Sequence, residues 1–195
     1  MPIYLKNLTS SIVMITIVFT LVFCPYASAQ DTDESRAKIG TTQKIGDLIL
    51  FVFPVATVGT SLIIEDEKGA LQFTKGLLLT TVVTYGLKLS INKPRPDNSN
   101  DNAFPSGHTS AVFHSAGYVH RRYGFKYSIP AYALAGFTAA SRIDSKKHDI
   151  LDILAGTVIG LGSNLLFTTD YQQEHMELTY SSYEGDYMIG FRCKF

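Results

Sequence analysis

The sequence predicts an all-α fold, an up-and-down bundle of about five core helices followed by a short C-terminal β-hairpin. Three observations lead there. Five apolar stretches, residues 48–64, 76–87, 109–119, 129–140 and 150–167, alternate with charged or proline- and glycine-rich punctuation. From residue 171 onward the period changes to two, as expected for strands. Finally, 195 residues, 46% of them hydrophobic, are enough for one sizeable core and too few for a second independent domain.

The first 29 residues read as a secretory signal: Lys6 makes a weakly basic start, residues 12–24 an apolar stretch, and Ala27-Ser28-Ala29 a small-residue cleavage site. An uncleaved anchor is the alternative, because residues 8–29 approach the roughly 20 apolar residues that span a bilayer. Bulky Phe23 before Cys24 argues against a lipoprotein cysteine, and with the signal removed Cys193 alone remains, which excludes an intramolecular disulfide. Residues 30–44 are polar and form a lead-in to the helical domain, 45–170. The acidic turn Glu65-Asp66-Glu67-Lys68-Gly69 closes the first apolar run, and Lys75 and Lys88 bracket the second. Pro94, Pro96 and Pro105, with several Asn and Asp, make 92–105 a loop. The third run stops at His120-Arg121-Arg122-Tyr123-Gly124. In the tail, 171–195, Met176, Leu178 and Tyr180 alternate with polar residues, Glu184-Gly185-Asp186 turns, and Tyr187, Ile189 and Phe191 alternate again. Two strands cannot close a barrel, so the hairpin is expected to pack on the protein.

Most of the runs are shorter than a membrane span, yet 48–64 and most of 153–167 are apolar on every side and must be buried in a core or in lipid. With the segment after Ala29 outside, five crossings place the basic residues of 120–126 inside, in keeping with the positive-inside tendency. We read the bundle as membrane-embedded, with a soluble periplasmic bundle as the alternative. Equal numbers of acidic and basic side chains, 17 of each, and no basic stripe interleaved with aromatics exclude nucleic acid as the partner.

Three segments concentrate residues that an apolar helical protein otherwise avoids: Lys88 with Arg95-Pro96, Pro105-Ser106-Gly107-His108, and Ser141-Arg142 with His148 and Asp152. Lys88 ends the second helix, His108 begins the third, Arg142 ends the fourth and His148 begins the fifth, so an up-and-down bundle brings them to one face. Three cations, two imidazoles, a hydroxyl, a glycine and a carboxylate suit a phosphoryl group. Lys88, Arg95 and Arg142 can neutralise its oxygens, and Gly107 N–H and the Ser106 hydroxyl can donate at a helix start. Asp152 stands four residues after His148, which on a helix pairs carboxylate and ring and fixes the tautomer that presents Nε2 to phosphorus. His108 is placed to protonate a leaving oxygen.

Lys88-x6-Arg95-Pro96, Pro105-Ser106-Gly107-His108 and Ser141-Arg142-x5-His148-x3-Asp152 resemble the three-part signature of the type 2 phosphatidic acid phosphatase superfamily, with every signature position filled. The resemblance implies a hydrolase that works through a phosphohistidine. His148 would be its nucleophile, Asp152 the partner and His108 the general acid, while Lys88, Arg95, Ser106, Gly107 and Arg142 bind the substrate phosphate. It implies no metal and no cofactor. Related vanadium haloperoxidases use similar residues in much larger chains. The expected substrate is a lipid phosphate or diphosphate, an isoprenyl diphosphate, phosphatidylglycerophosphate, phosphatidate or lipid A, met at the membrane. The alternatives are a soluble periplasmic acid phosphatase and a non-catalytic envelope protein. Outside the signature, Lys93 reads as a solvated charge or rim contact, His114 and His120 as structural histidines, Asp97 and Asp101 as solvated loop acids, and Arg121, Arg122 and Lys126 as a headgroup rim.

Overall fold

The computed structural model describes residues 40–171, 176–183 and 186–193, with Val13 and Thr16 from the segment before them. The expected signal or anchor otherwise lies outside the described residues, as does the lead-in up to residue 39.

Five helices follow in chain order: α1 Thr41–Ile63, α2 Glu67–Ile91, α3 Gly107–Tyr123, α4 Phe125–Asp144 and α5 Ile150–Phe167. Four of them are longer than the apolar runs that predict them. α1 starts at Thr41, so the end of the polar lead-in is already helical. The acidic turn that closes α1 also opens α2: Glu65 reverses the chain at φ 61°, the Asp66 carboxylate accepts from Gly69 N at 2.9 Å, and Glu67 adds negative charge to the first turn. Asn92 ends α2 in the left-handed conformation, φ 46°, which its short polar side chain tolerates. Ser106 caps α3. α3 and α4 are joined through Gly124 at φ 99°, a conformation that a Cβ would oppose.

α3 is the central element and packs against all four other helices. One side of it meets Leu50 and Val58 of α1 and Ala70, Phe73 and Leu77 of α2 around Tyr118; the other sets Val112 and Ala116 against Ala131 and Ala135 of α4. Against α5 the backbones themselves touch. A Cβ on Gly156 would lie 2.7 Å from Ser106 O, and one on Gly160 would lie 2.3 Å from Ser110 O. That approach brings the starts of α3 and α5 together, and Ser106 N donates to Asp152 O at 3.0 Å.

Much of the interior is polar. His114 is fully buried, with Nδ1 2.8 Å from Ser163 Oγ and Nε2 3.0 Å from Phe73 O, as befits a structural histidine. Thr80 donates to the same Ser163, and Thr84 to Ser110. Arg122 departs from the expected rim: it is buried and grips Asp66 with two bonds of 2.6 and 2.8 Å, with Tyr123 OH on the same carboxylate. Two charges taken out of water need such a complete partner set. Arg121 and Lys126 remain at the surface. The exterior, by contrast, is aliphatic: Leu48 and Val52 of α1, Leu78 and Val82 of α2, and Leu151, Leu154 and Val158 of α5 all face outward. α1 and α5 are long and apolar enough to cross a membrane, and only 33% of each apolar window is buried within the protein. After α5, the strands β1 Met176–Tyr183 and β2 Asp186–Cys193 pair antiparallel, with Leu178 opposite Phe191 and Tyr180 opposite Ile189.

Candidate active site

The three motifs meet at one end of the bundle, where α2 and α4 finish and α3 and α5 begin. Their loops are sewn to each other. Asp97 N donates to Lys146 O at 3.0 Å and the Asp97 carboxylate pairs with Lys147 at 2.9 Å, so this acid ties the first motif to the third and is not simply solvated. Ala103 N donates to Lys93 O at 2.9 Å, which closes the loop between the first and second motifs. The Phe104–Pro105 peptide is cis and leads directly into Ser106, the cap of α3.

His148 is buried between these loops, and its Nδ1 lies 2.7 Å from the carbonyl of Ala103. A carbonyl can only accept, so Nδ1 carries the proton and Nε2 keeps its lone pair. The expected partner, Asp152, is close but not bonded: its Oδ2 is 3.6 Å from Nδ1. The reason is where the helix starts. α5 begins at Ile150 with Asp149 as its cap, so His148 lies ahead of the first turn and the four-residue spacing is not a helical one. Asp152 is instead the third residue of a capping box, accepting from Asp149 N while Asp149 accepts from Asp152 N, each at 3.0 Å. Burial pushes the imidazole of His148 below its ordinary value, and the charges of Lys88 and Arg95 push further the same way against the pull of Asp152. The ring is therefore neutral at neutral pH.

Lys88 is buried in the last turn of α2 and donates to Asn102 O at 2.7 Å. Arg142 is buried at the end of α4 and gives Nε to Ser141 Oγ at 3.2 Å, Nη1 to Asp47 at 2.7 Å and Nη2 to Gln43 O at 2.9 Å. The Ser106 hydroxyl accepts from Thr109 N and Thr109 Oγ1, which leaves its own proton to donate. A Cβ on Gly107 would come no nearer than 3.7 Å to Lys88 Cε, so the protein's own packing does not demand glycine there. His108 stands in the first turn of α3, beside its Ser106 cap.

Two residues that bear on the site were not expected from the sequence. Asp47 of α1 sets its Oδ1 2.8 Å from His108 Nε2 and takes the Arg142 bond as well. It is the one acid between Glu34 and Glu65, directly before the first apolar run, and that isolation was its available signal. Lys93, expected to be solvated or at the rim, spans Asp149 Oδ2 at 2.5 Å and Asp152 Oδ1 at 2.7 Å. Burial alone would lower Lys93, but these two carboxylates hold its ammonium above the ordinary lysine value, and Lys93 in turn holds Asp149 below the usual carboxylate range. Among the described residues, no three His, Cys, Asp or Glu come together in a way that could hold a metal ion. A groove of about 600 Å³, lined by Phe53, Thr60, Tyr123, Tyr127, Leu134 and Tyr171, sits towards the other end of the bundle and takes no part in this cluster.

The PAP2 superfamily profile matches residues 69–176, which include all three motifs. A lipid A 4'-phosphatase of Helicobacter pylori is 33% identical over 165 residues, covering 76% of this chain and 83% of that one. The chain belongs to the PAP2 superfamily. A lipid A 1-phosphatase of Porphyromonas gingivalis is 39% identical over 89 residues, 44% of this chain and 20% of that longer protein. Among solved structures, Aquifex aeolicus LpxE shares the fold, with a TM-score of 0.55 over 76% of this chain and 90% of the other at 21% identity. The chain is thus a phosphatase of the PAP2 superfamily, and the matched span contains every signature residue while Asp47 precedes it.

Proposed function

We propose that this chain removes a phosphate group from lipid A, by way of a phosphohistidine on His148, at the periplasmic face of the inner membrane of a Gram-negative cell. The observation that carries the reaction is the His148 imidazole, neutral and with Nδ1 committed to Ala103, so that Nε2 is the atom left to react. The similarity to lipid A 4'- and 1-phosphatases supports the substrate class.

Nε2 attacks phosphorus while Lys88, Arg95 and Arg142 neutralise the phosphoryl oxygens and the Gly107 N–H and Ser106 hydroxyl donate to them. The P–O bond to the sugar breaks, and the leaving oxygen takes a proton from Nδ1 of His108, whose Nε2–H is held by Asp47. Asp152, with its charge 3.6 Å from Nδ1, offsets the cation that forms on His148. Water then attacks the phosphorus, His108 takes its proton, and cleavage of the P–N bond releases inorganic phosphate and the free histidine. The lipid anchors of the substrate stay in the bilayer while the headgroup enters between the helix ends.

The test is phosphate release by the detergent-purified chain from lipid A carrying phosphate at the 1 or the 4' position, alongside isoprenyl diphosphate, phosphatidate and a soluble aryl phosphate. Turnover of one lipid A phosphate well above the others is expected, and it should vanish in His148→Ala. Preference for the soluble ester would return the protein to the periplasmic acid phosphatases, and full turnover by His148→Ala would remove the mechanism.

A further inference from the structure

Lys93 lies outside the three motifs, yet it contacts the groups on both sides of His148. Its Nζ joins the two acids at the head of α5, 2.5 Å from Asp149 Oδ2 and 2.7 Å from Asp152 Oδ1. Its backbone carbonyl accepts from Ala103 N at 2.9 Å, and the carbonyl of Ala103 is the group that receives the His148 Nδ1 proton at 2.7 Å. The hydrogen-bond partner of the ring and its charged neighbour are therefore both held from one residue. The backbone there has little freedom: left-handed Asn92 precedes Lys93, and Pro94 and Pro96 follow. Asp152 is wholly buried, and a carboxylate without water needs donors on both oxygens. Asp149 N supplies one and Lys93 the other.

We propose that Lys93 is a positioning residue for the phosphatase reaction: its ammonium fixes Asp152 against the ring of His148 and so sets the orientation from which Nε2 attacks phosphorus. Lys93 acts through Asp152 and does not itself bind the phosphate. The proposal rests on His148 being the nucleophile.

Three measurements on the full chain in detergent test it, with thermal unfolding as the check of folding. Lys93→Met lowers kcat by roughly 10- to 100-fold at nearly constant KM, the signature of lost alignment. Lys93→Arg, whose longer fork can still reach both carboxylates, recovers most of that loss. In an Asp152→Asn background, Lys93→Met changes kcat by no more than about twofold, because the group it acts through has already been altered. Should Lys93→Met fail to fold, Lys93→Gln, which keeps a donor to Asp152 but loses the charge and the contact to Asp149, is expected to lower kcat in the same direction by a smaller factor, again at nearly constant KM. A rise in KM at constant kcat, or an undiminished Lys93→Met effect in the Asp152→Asn background, would make Lys93 a substrate contact and overturn the proposal. Full turnover by His148→Ala removes the nucleophile reading and this one together. An inactive His148→Ala beside a Lys93→Met enzyme of unchanged kcat removes this one alone.

Discussion

Asp47 Oδ1 takes bonds from both His108 and Arg142, so one carboxylate fixes an imidazole and a guanidinium at the same cleft. Asp47→Asn keeps the shape and removes the charge. It is expected to lower kcat by about 10-fold or more, within the range that general acid catalysis contributes, and steady-state kinetics with a thermal unfolding control would show it. The nucleophile proposed here, a neutral His148, makes a second prediction. Protonation of His148 abolishes attack, and because burial, Lys88 and Arg95 hold the ring below its ordinary value of 6.5, the acid limb of the kcat/KM profile falls below that pH. An acid limb at or above 6.5 would contradict it. The three signature segments could be read from the sequence because their eight residues stand at fixed offsets within short stretches, and the family profile spans all of them. Asp47 and Lys93 were not, since a lone acid before an apolar run and a lone lysine between prolines acquire meaning only when α1 and α5 are folded beside them. His148 and Asp152 stand beside each other at 3.6 Å, but the Nδ1 hydrogen bond goes to Ala103 O, because the capping role of Asp149 moves the helix start past His148.

At the scale of elements, the contact between α3 and α5 decides the site, since it sets Ser106 on Asp152. Gly160→Ala puts a methyl 2.3 Å from Ser110 O and 2.7 Å from His114 N, both backbone atoms that cannot swing away. The helices must part, and the expected cost is about 1–3 kcal/mol of stability, as for other overpacked interiors, with activity falling too. Gly162→Ala, which meets nothing within 4 Å, is the control and should leave both the thermal midpoint and turnover near wild type. Equal midpoints for the two variants would show that the close approach is not needed. The five helices were legible from apolar runs and punctuation, but their lengths were not. A turn such as Glu65 to Gly69 reads as an ending by composition, while Asp66 and Glu67 are also the cap and first turn of α2. Proline and glycine mark where a helix cannot go; polar residues such as Gln43 or Lys44 do not stop one.

Over the whole helical domain, among the described residues, many buried side chains are polar and many exposed ones aliphatic. Thr57, Ser61, Thr80, Thr84, Thr138, Ser141, Ser163 and Asn164 are buried, while leucines, isoleucines and valines of every helix but α3 are exposed. Water would penalise that surface, whereas lipid does not, and small or hydroxylated residues at helix contacts are what packing in lipid favours. Sequence apolarity suggested the membrane, but only the structure shows which residues face out. Val158 gives the sharpest test, being near the middle of α5 and 70% exposed. If α5 borders hydrocarbon, Val158→Lys costs about 2.5–3.5 kcal/mol, the insertion cost of a lysine at the centre of a span. If α5 borders water, the change is an ordinary surface substitution worth less than about 0.5 kcal/mol. The variant should therefore accumulate poorly and unfold at lower temperature in detergent than Val158→Leu, and the wild-type chain should stay with membranes through osmotic shock. Wild-type protein in the shock fluid, with Val158→Lys as stable as Val158→Leu, would place the same active site on a soluble bundle.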